Sequence, residues 1–196
     1  MNDAASTAVE DPVTLTPTPT AATPPEGWEA RLAALWTSLP NQDDEAFRTA
    51  VQRLVAELPD GDPIGLFELA CAQDSTGHSD RAVPLYRSAL GAGLDGLRRR
   101  RATIQLASSL RNIGKAKEAA ALLTREAQQL DDELSDAVAA FRALALSDLG
   151  LDREALRHAL VALSHHLPRY NASLARYADA LVDVERDEPI KGNTRS

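Results

Sequence analysis

Apolar residues in this chain recur every three or four positions, the spacing of one face of an α-helix. The stripe Leu66, Leu69 and Ala70 is followed by the stripe Ala82, Leu85, Tyr86 and Ala89, with Gly77 between them. The same layout returns twice. Gly77, Gly114 and Gly150 stand 37 and 36 residues apart, each with an alanine five residues later (Ala82, Ala119, Ala155) and another seven residues earlier (Ala70, Ala107, Ala143). Asn41 lies 36 residues before Gly77, with Ala34 and Ala46 at the matching places. Asparagine is second to glycine at left-handed helix ends, so a weaker first copy is expected from Trp28. A fixed period of this length marks a repeat architecture.

Each copy reads as two helices. Asp62 is the expected N-cap of one, with Pro63 in its first turn and Gly77 as its stop, and Ser79 is the expected cap of the next. The following copies are predicted at 95–114 with 116–130, and at 135–149 with 152–166. Pro84 falls about five residues into a helix, where its ring opposes a carbonyl one turn back, so that helix is expected to start late or kink. After Pro168, residues 170–185 are expected to form one more amphipathic helix. Its inward side would carry Leu174, Tyr177, Ala178, Leu181 and Val182, and its outward side Arg176, Asp179 and Asp183. A single pair of helices cannot hide both faces, so successive pairs must stack. The expected divisions are a disordered tail at 1–27, repeats at about 28–60, 63–96, 97–133 and 135–168, a cap at 170–185 and a frayed tail at 186–196.

Composition favours the same class. The 196 residues include 35 Ala and 28 Leu against 9 Val and 4 Ile, which suits helices and starves strands. A lone Cys71 excludes an internal disulfide or a multi-cysteine metal site. A net charge of -8 argues against a broad nucleic-acid surface. Residues 1–27 carry four acids, no Lys or Arg, and a Thr/Pro-rich run, too little apolar surface to offset ordering. No apolar block suits a secretory signal or a membrane span, so a cytoplasmic protein is expected. The wealth of Ala, Leu and Arg suits a GC-rich bacterial genome.

The helix-turn-helix period, the small residue before the turn, the turn glycine and the run Ala82, Tyr86, Ala89 resemble the tetratricopeptide repeat (TPR) over residues 28–185. The copy at 63–96 has Leu69, Ala70, Gly77, Ala82, Tyr86 and Ala89 at signature positions. The copy at 100–133 has Leu106, Ala107, Gly114 and Ala119, and that at 136–169 has Ala143, Gly150, Ala155 and Ala162 with Pro168 near its end. Residues 93–114 also resemble a small bacterial subgroup, tetratrico peptide repeat group five. The resemblance implies an all-α fold: a right-handed α-α superhelix (TPR solenoid) of three to four helix pairs plus a C-terminal capping helix. It implies a non-catalytic protein with no cofactor and no metal. It also implies that the first helix of each pair lines a groove for a peptide or helix of a partner protein. Carried onto this chain, the groove residues are Phe67, Cys71 and Asp74 from one pair. The next pair supplies Arg101, Ile104, Gln105, Ser108, Arg111 and Asn112, and the last Ala140, Leu144 and Asp148.

Arg101, Gln105, Ser108 and Asn112 fall on one helix stripe, where amides can bond an extended backbone and an arginine can grip a carboxylate. The alternative is an ordinary hydrated face. The run from Arg98 to Arg101 opposes the dipole of its helix; Asp131, Asp132 and Glu133 are expected to compensate it, or solvent alone, the alternative being an acidic partner, nucleic acid or phosphate. His158, His165, His166 and His78 lack zinc-ligand spacing and read as dipole-favoured residues of a helix end. Cys71 reads as a packed residue. Trp28 and Trp36, eight apart, are expected to cover the N-terminal end. The functional readings are, in order, a scaffold binding an unidentified protein or peptide, a homodimerisation module using the tryptophans or the cap, and an enzyme using the histidines or Cys71.

Overall fold

The computed structural model describes residues 23–129 and 131–183; of the expected tail at 1–27 only 23–27 fall within them, and the expected tail at 186–196 and the last two residues of the expected cap at 170–185 lie outside the described residues. Within them the chain forms helices and no strand. These are α1 (Trp28–Ser38), α2 (Asp44–Val55), α3 (Pro63–Ser75), α4 (Ser79–Gly91), α5 (Gly96–Asn112), α6 (Ala116–Glu126), α7 (Ser135–Ser147), α8 (Asp152–His165) and α9 (Asn171–Asp183).

The turn glycines make the repeat. Gly77, Gly114 and Gly150 adopt φ of 81°, 77° and 75°, a left-handed conformation that a side chain would strain. The following N–H then bonds back across the helix end: His78 to the Gln73 carbonyl at 2.9 Å, Lys115 to Leu110 at 2.8 Å and Leu151 to Leu146 at 3.0 Å. Asn41 takes no such role. There α1 runs into a 3₁₀ turn over Leu39–Asn41, where Pro40 pre-sets the tight φ, and the chain leaves extended at Gln42. Asp43 then caps α2 by accepting from the Glu45 and Ala46 N–H groups, both at 3.0 Å.

Asp62 caps α3 as expected, accepting from Ile64 at 2.9 Å and Gly65 at 3.1 Å. Ser79 is instead the first residue of α4 and turns inward. Its hydroxyl donates to Asp74 Oδ1 at 3.1 Å and accepts from Asn112 Nδ2 at 3.2 Å, so it joins α3, α4 and α5 rather than capping. α4 does not start late either; it runs from Ser79 through Pro84. Pro84 and Asp80, whose carbonyl loses its donor, are both exposed, so water can satisfy that carbonyl.

The paired alanines Ala70, Ala82, Ala107, Ala119, Ala143 and Ala155 are all buried, which lets the helices approach closely. Around them pack Phe67, Tyr86, Leu110, Leu123 and Val138. A Cβ on Gly65 would meet Val55 Cγ1 at 2.8 Å, so α3 can lie this close to α2 only with glycine there. Consecutive helices pack in chain order, and in addition α3 packs on α5 and α5 on α7. Among the described residues the second helices α4, α6 and α8 have no comparable mutual contact. The first helices therefore form the tighter, inner layer of a helical solenoid.

The last helix departs from this pattern. α9 packs on α8 but, among the described residues, has no comparable contact with α7. Arg153 Nε donates to the Leu181 carbonyl and Arg157 Nε to Asp179 Oδ1, both at 2.9 Å, and Ser164 is buried. The corresponding positions in α4 and α6 (Asp80 and Lys117, Pro84 and Ala121, Gly91 and Gln128) are all exposed. α9 thus lies on the outer side of α8, away from the place a next first helix would take. Tyr177 is 64% exposed, not inward as expected. Ala178, fully buried, sets the inner face with the half-buried Leu174 and Leu181 at helical spacing, and Tyr177 stands one residue, about 100°, off that line.

Candidate functional site

The expected groove residues belong to the inner layer. Phe67 and Ile104 are buried, packed in the core rather than presented. Arg101 is exposed, and its guanidinium sits over the Phe67 ring, 5.4 Å from the centroid. Cys71 Sγ donates to Gln105 Oε1 at 3.4 Å. Asp74 Oδ1 accepts from Ser109 at 2.7 Å as well as from Ser79. The polar side of α5 is therefore a seam against the preceding pair for much of its length. Arg111 pairs with Asp148 and so continues the seam to α7. Arg101, Gln105, Ser108 and Leu144 keep a free edge along the inner side; Leu144 is exposed, as are Asn112 and Ala140.

At one end of this layer α1, α3 and α5 leave a cleft of about 310 Å³, lined by Trp36, Glu68, Cys71, Arg98, Arg101 and Gln105. Glu68 is the feature that periodicity could not reveal. It is buried, accepts from Trp36 Nε1 at 2.9 Å and faces Arg98 Nε at 3.5 Å. Burial pushes its carboxyl above the ordinary value, against the opposite pull of the indole, Arg98 and Arg101. Burial also pushes the Cys71 thiol up to about 12, so at neutral pH it holds its proton and is a poor nucleophile.

The arginine run is compensated inside the chain. Arg98 pairs with Glu29 at 2.6 Å, Arg99 with Glu126 at 2.5 Å, and the buried Arg100 with Glu126 at 2.8 Å and Asp132 at 2.8 Å. Asp132 was expected from the sequence; Glu126, the buried hub of two pairs, was not. Arg101 alone of the four has no carboxylate partner among the described residues. His165 and His166 both reach Asp136, at 2.7 and 3.0 Å, tying the end of α8 to the start of α7. Among the described residues no three His, Cys, Asp or Glu side chains converge as a metal site. No described helix is long and apolar enough to cross a membrane.

Stacked helix pairs whose side-chain faces are the accessible feature define a helical-repeat protein. The family model described as tetratrico peptide repeat matches residues 63–181, and the chain belongs to that family. Repeats of this family generally mediate protein–protein interaction, and the family is typically non-catalytic. No curated protein and no solved structure matches the chain.

Proposed function

We propose that the protein is a non-catalytic scaffold that binds a peptide or helix of a partner protein along its inner layer, α3, α5 and α7. The observation that carries this reading is Arg101. It is exposed beside a cleft, its flat face is held by Phe67, and it makes no ion pair within 4 Å among the described residues. A stacked guanidinium is pre-oriented, so less side-chain entropy is lost when a ligand carbonyl or carboxylate meets it. Gln105, Ser108 and Leu144 extend the surface with one amide, one hydroxyl and one apolar contact. Asp74, Arg111, Asn112 and Asp148 serve it indirectly, by fixing the seams between pairs.

The test is capture of a partner by the wild-type chain and by the double variant Arg101→Ala, Gln105→Ala. Capture is expected to fall by about tenfold or more, as when one contact of 1.4 kcal/mol is lost, with helicity by circular dichroism unchanged. Undiminished capture by a folded variant would reject the inner surface.

A further inference from the structure

The open end of the solenoid supplies a second surface, which shares only Leu144 with the inner layer. Six residues after each turn glycine stand Val83, Ala120 and Leu156; the first two are 4% and 7% exposed, the third 48%. Six residues before each glycine stand Cys71, Ser108 and Leu144, which run from buried through half-buried to exposed. In the inner pairs these positions face the first helix of the next pair, as Cys71 faces Gln105 of α5. At the last pair that seat is empty of α9, which lies on the outer side of α8. Leu144, Leu156 and Leu163 thus line a helix-accepting groove between α7 and α8. Beside it, α9 exposes Tyr177, with Tyr170 seven residues before it at 77% exposure. Of the large apolar side chains exposed among the described residues, all but Leu97 lie between Leu144 and Tyr177.

We infer that this end binds a second copy of the chain about a two-fold axis, each α9 laying Tyr170 and Tyr177 into the α7/α8 groove of the other. Both surfaces lie at one end of the same chain and lack a mate, and a two-fold satisfies both at once. Their charges are complementary. Arg169 and Arg176, which flank the tyrosines, have no carboxylate partner among the described residues, while Asp152 is exposed at the turn end of the groove with no ion pair among the described residues. Residues 184–196 are a poor occupant, with Val184 and Ile190 as their only apolar side chains beside Pro189 and Gly192. A head-to-tail contact is disfavoured too, because no large apolar side chain is exposed between residues 23 and 96.

Light scattering on the full chain between roughly 1 and 100 µM reads the assembly directly, since a dimer's population follows concentration. The expected mass is that of two chains. Leu156→Glu with Leu163→Glu, and separately Tyr170→Ala with Tyr177→Ala, should each weaken the dimer by about thirtyfold or more, the loss of a buried anchor, with helicity retained. Mixing the two variants should restore a heterodimer, because one wild-type groove and one wild-type α9 remain to meet. A wild-type chain monomeric throughout that range overturns the inference. So does a dimer indifferent to both variants, or a chain that dimerises only once residues 184–196 are deleted, which would make that segment the occupant.

Discussion

The two ends of the solenoid carry the same pattern and use it differently. At the N-terminal end Phe47, Val51, Leu54 and Leu58 stand 6, 10, 13 and 17 residues after Asn41, and all four are buried. At the C-terminal end Leu156, Leu160, Leu163 and Leu167 stand at those same offsets from Gly150, yet two of them are 48% exposed and the others half-buried. Composition does not separate the two stripes; the position of the succeeding helix does. α3 closes over α2, helped by Gly65, and α1 adds the buried Trp28, whose indole donates to the Leu54 carbonyl at 2.9 Å. α8 receives α9 on its other side. A residue's place in the repeat tells which way it points, and only the next helix decides whether it is covered.

Equivalent truncations should break or sustain this contrast most sharply. Phe47→Ala is expected to cost about 3–5 kcal/mol of unfolding free energy, as a large side chain leaving a closed core does. Leu156→Ala, at the same repeat position, should stay within about 0.5 kcal/mol in dilute solution, where any dimer has dissociated. Denaturant titration compares them, and equal costs would dissolve the distinction. A milder effect is expected for Trp28→Phe, which keeps most of the packing and loses the bond to Leu54: about 0.5–1.5 kcal/mol.

The smallest expected effects are in pH, and they have opposite signs in the two halves. Glu68, in the N-terminal half, has a folded pKa raised chiefly by burial. Its contribution is full below the unfolded carboxyl value, about 4.3, and is lost as pH rises through the folded value. His158, in the C-terminal half, has its folded pKa lowered by burial first and then by Arg142 and Arg157. Its contribution is full above the unfolded value of about 6.5 and is lost as pH falls through the folded value. Unfolding curves over pH should therefore lose the first limb in Glu68→Gln and the second in His158→Gln. A variant that leaves its limb intact would show that another group carries it.

The period was legible because its marker is conformational. Gly77, Gly114 and Gly150 occupy backbone that other residues strain to enter, so sequence and geometry coincide there. Asn41 kept the spacing without that conformation, because Pro40 supplied a different turn. The stripe Arg101, Gln105, Ser108 and Asn112 was legible as polar, yet a helical wheel cannot distinguish a face meeting water from one meeting Cys71, Asp74 and Ser79. Phe67 was placed on the accessible side and lies beneath it, covered by Arg101. Glu68 was invisible because its partner Trp36 comes from a different pair, 32 residues away.

The outward course of α9 begins at Tyr170, which holds φ at 67° where side chains seldom go. That one elbow leaves the array able to grow. A duplicated unit of about 36 residues grafted after Pro168 would find its seat already built between α7 and α8, whereas an extension at the opposite terminus would first have to evict Trp28.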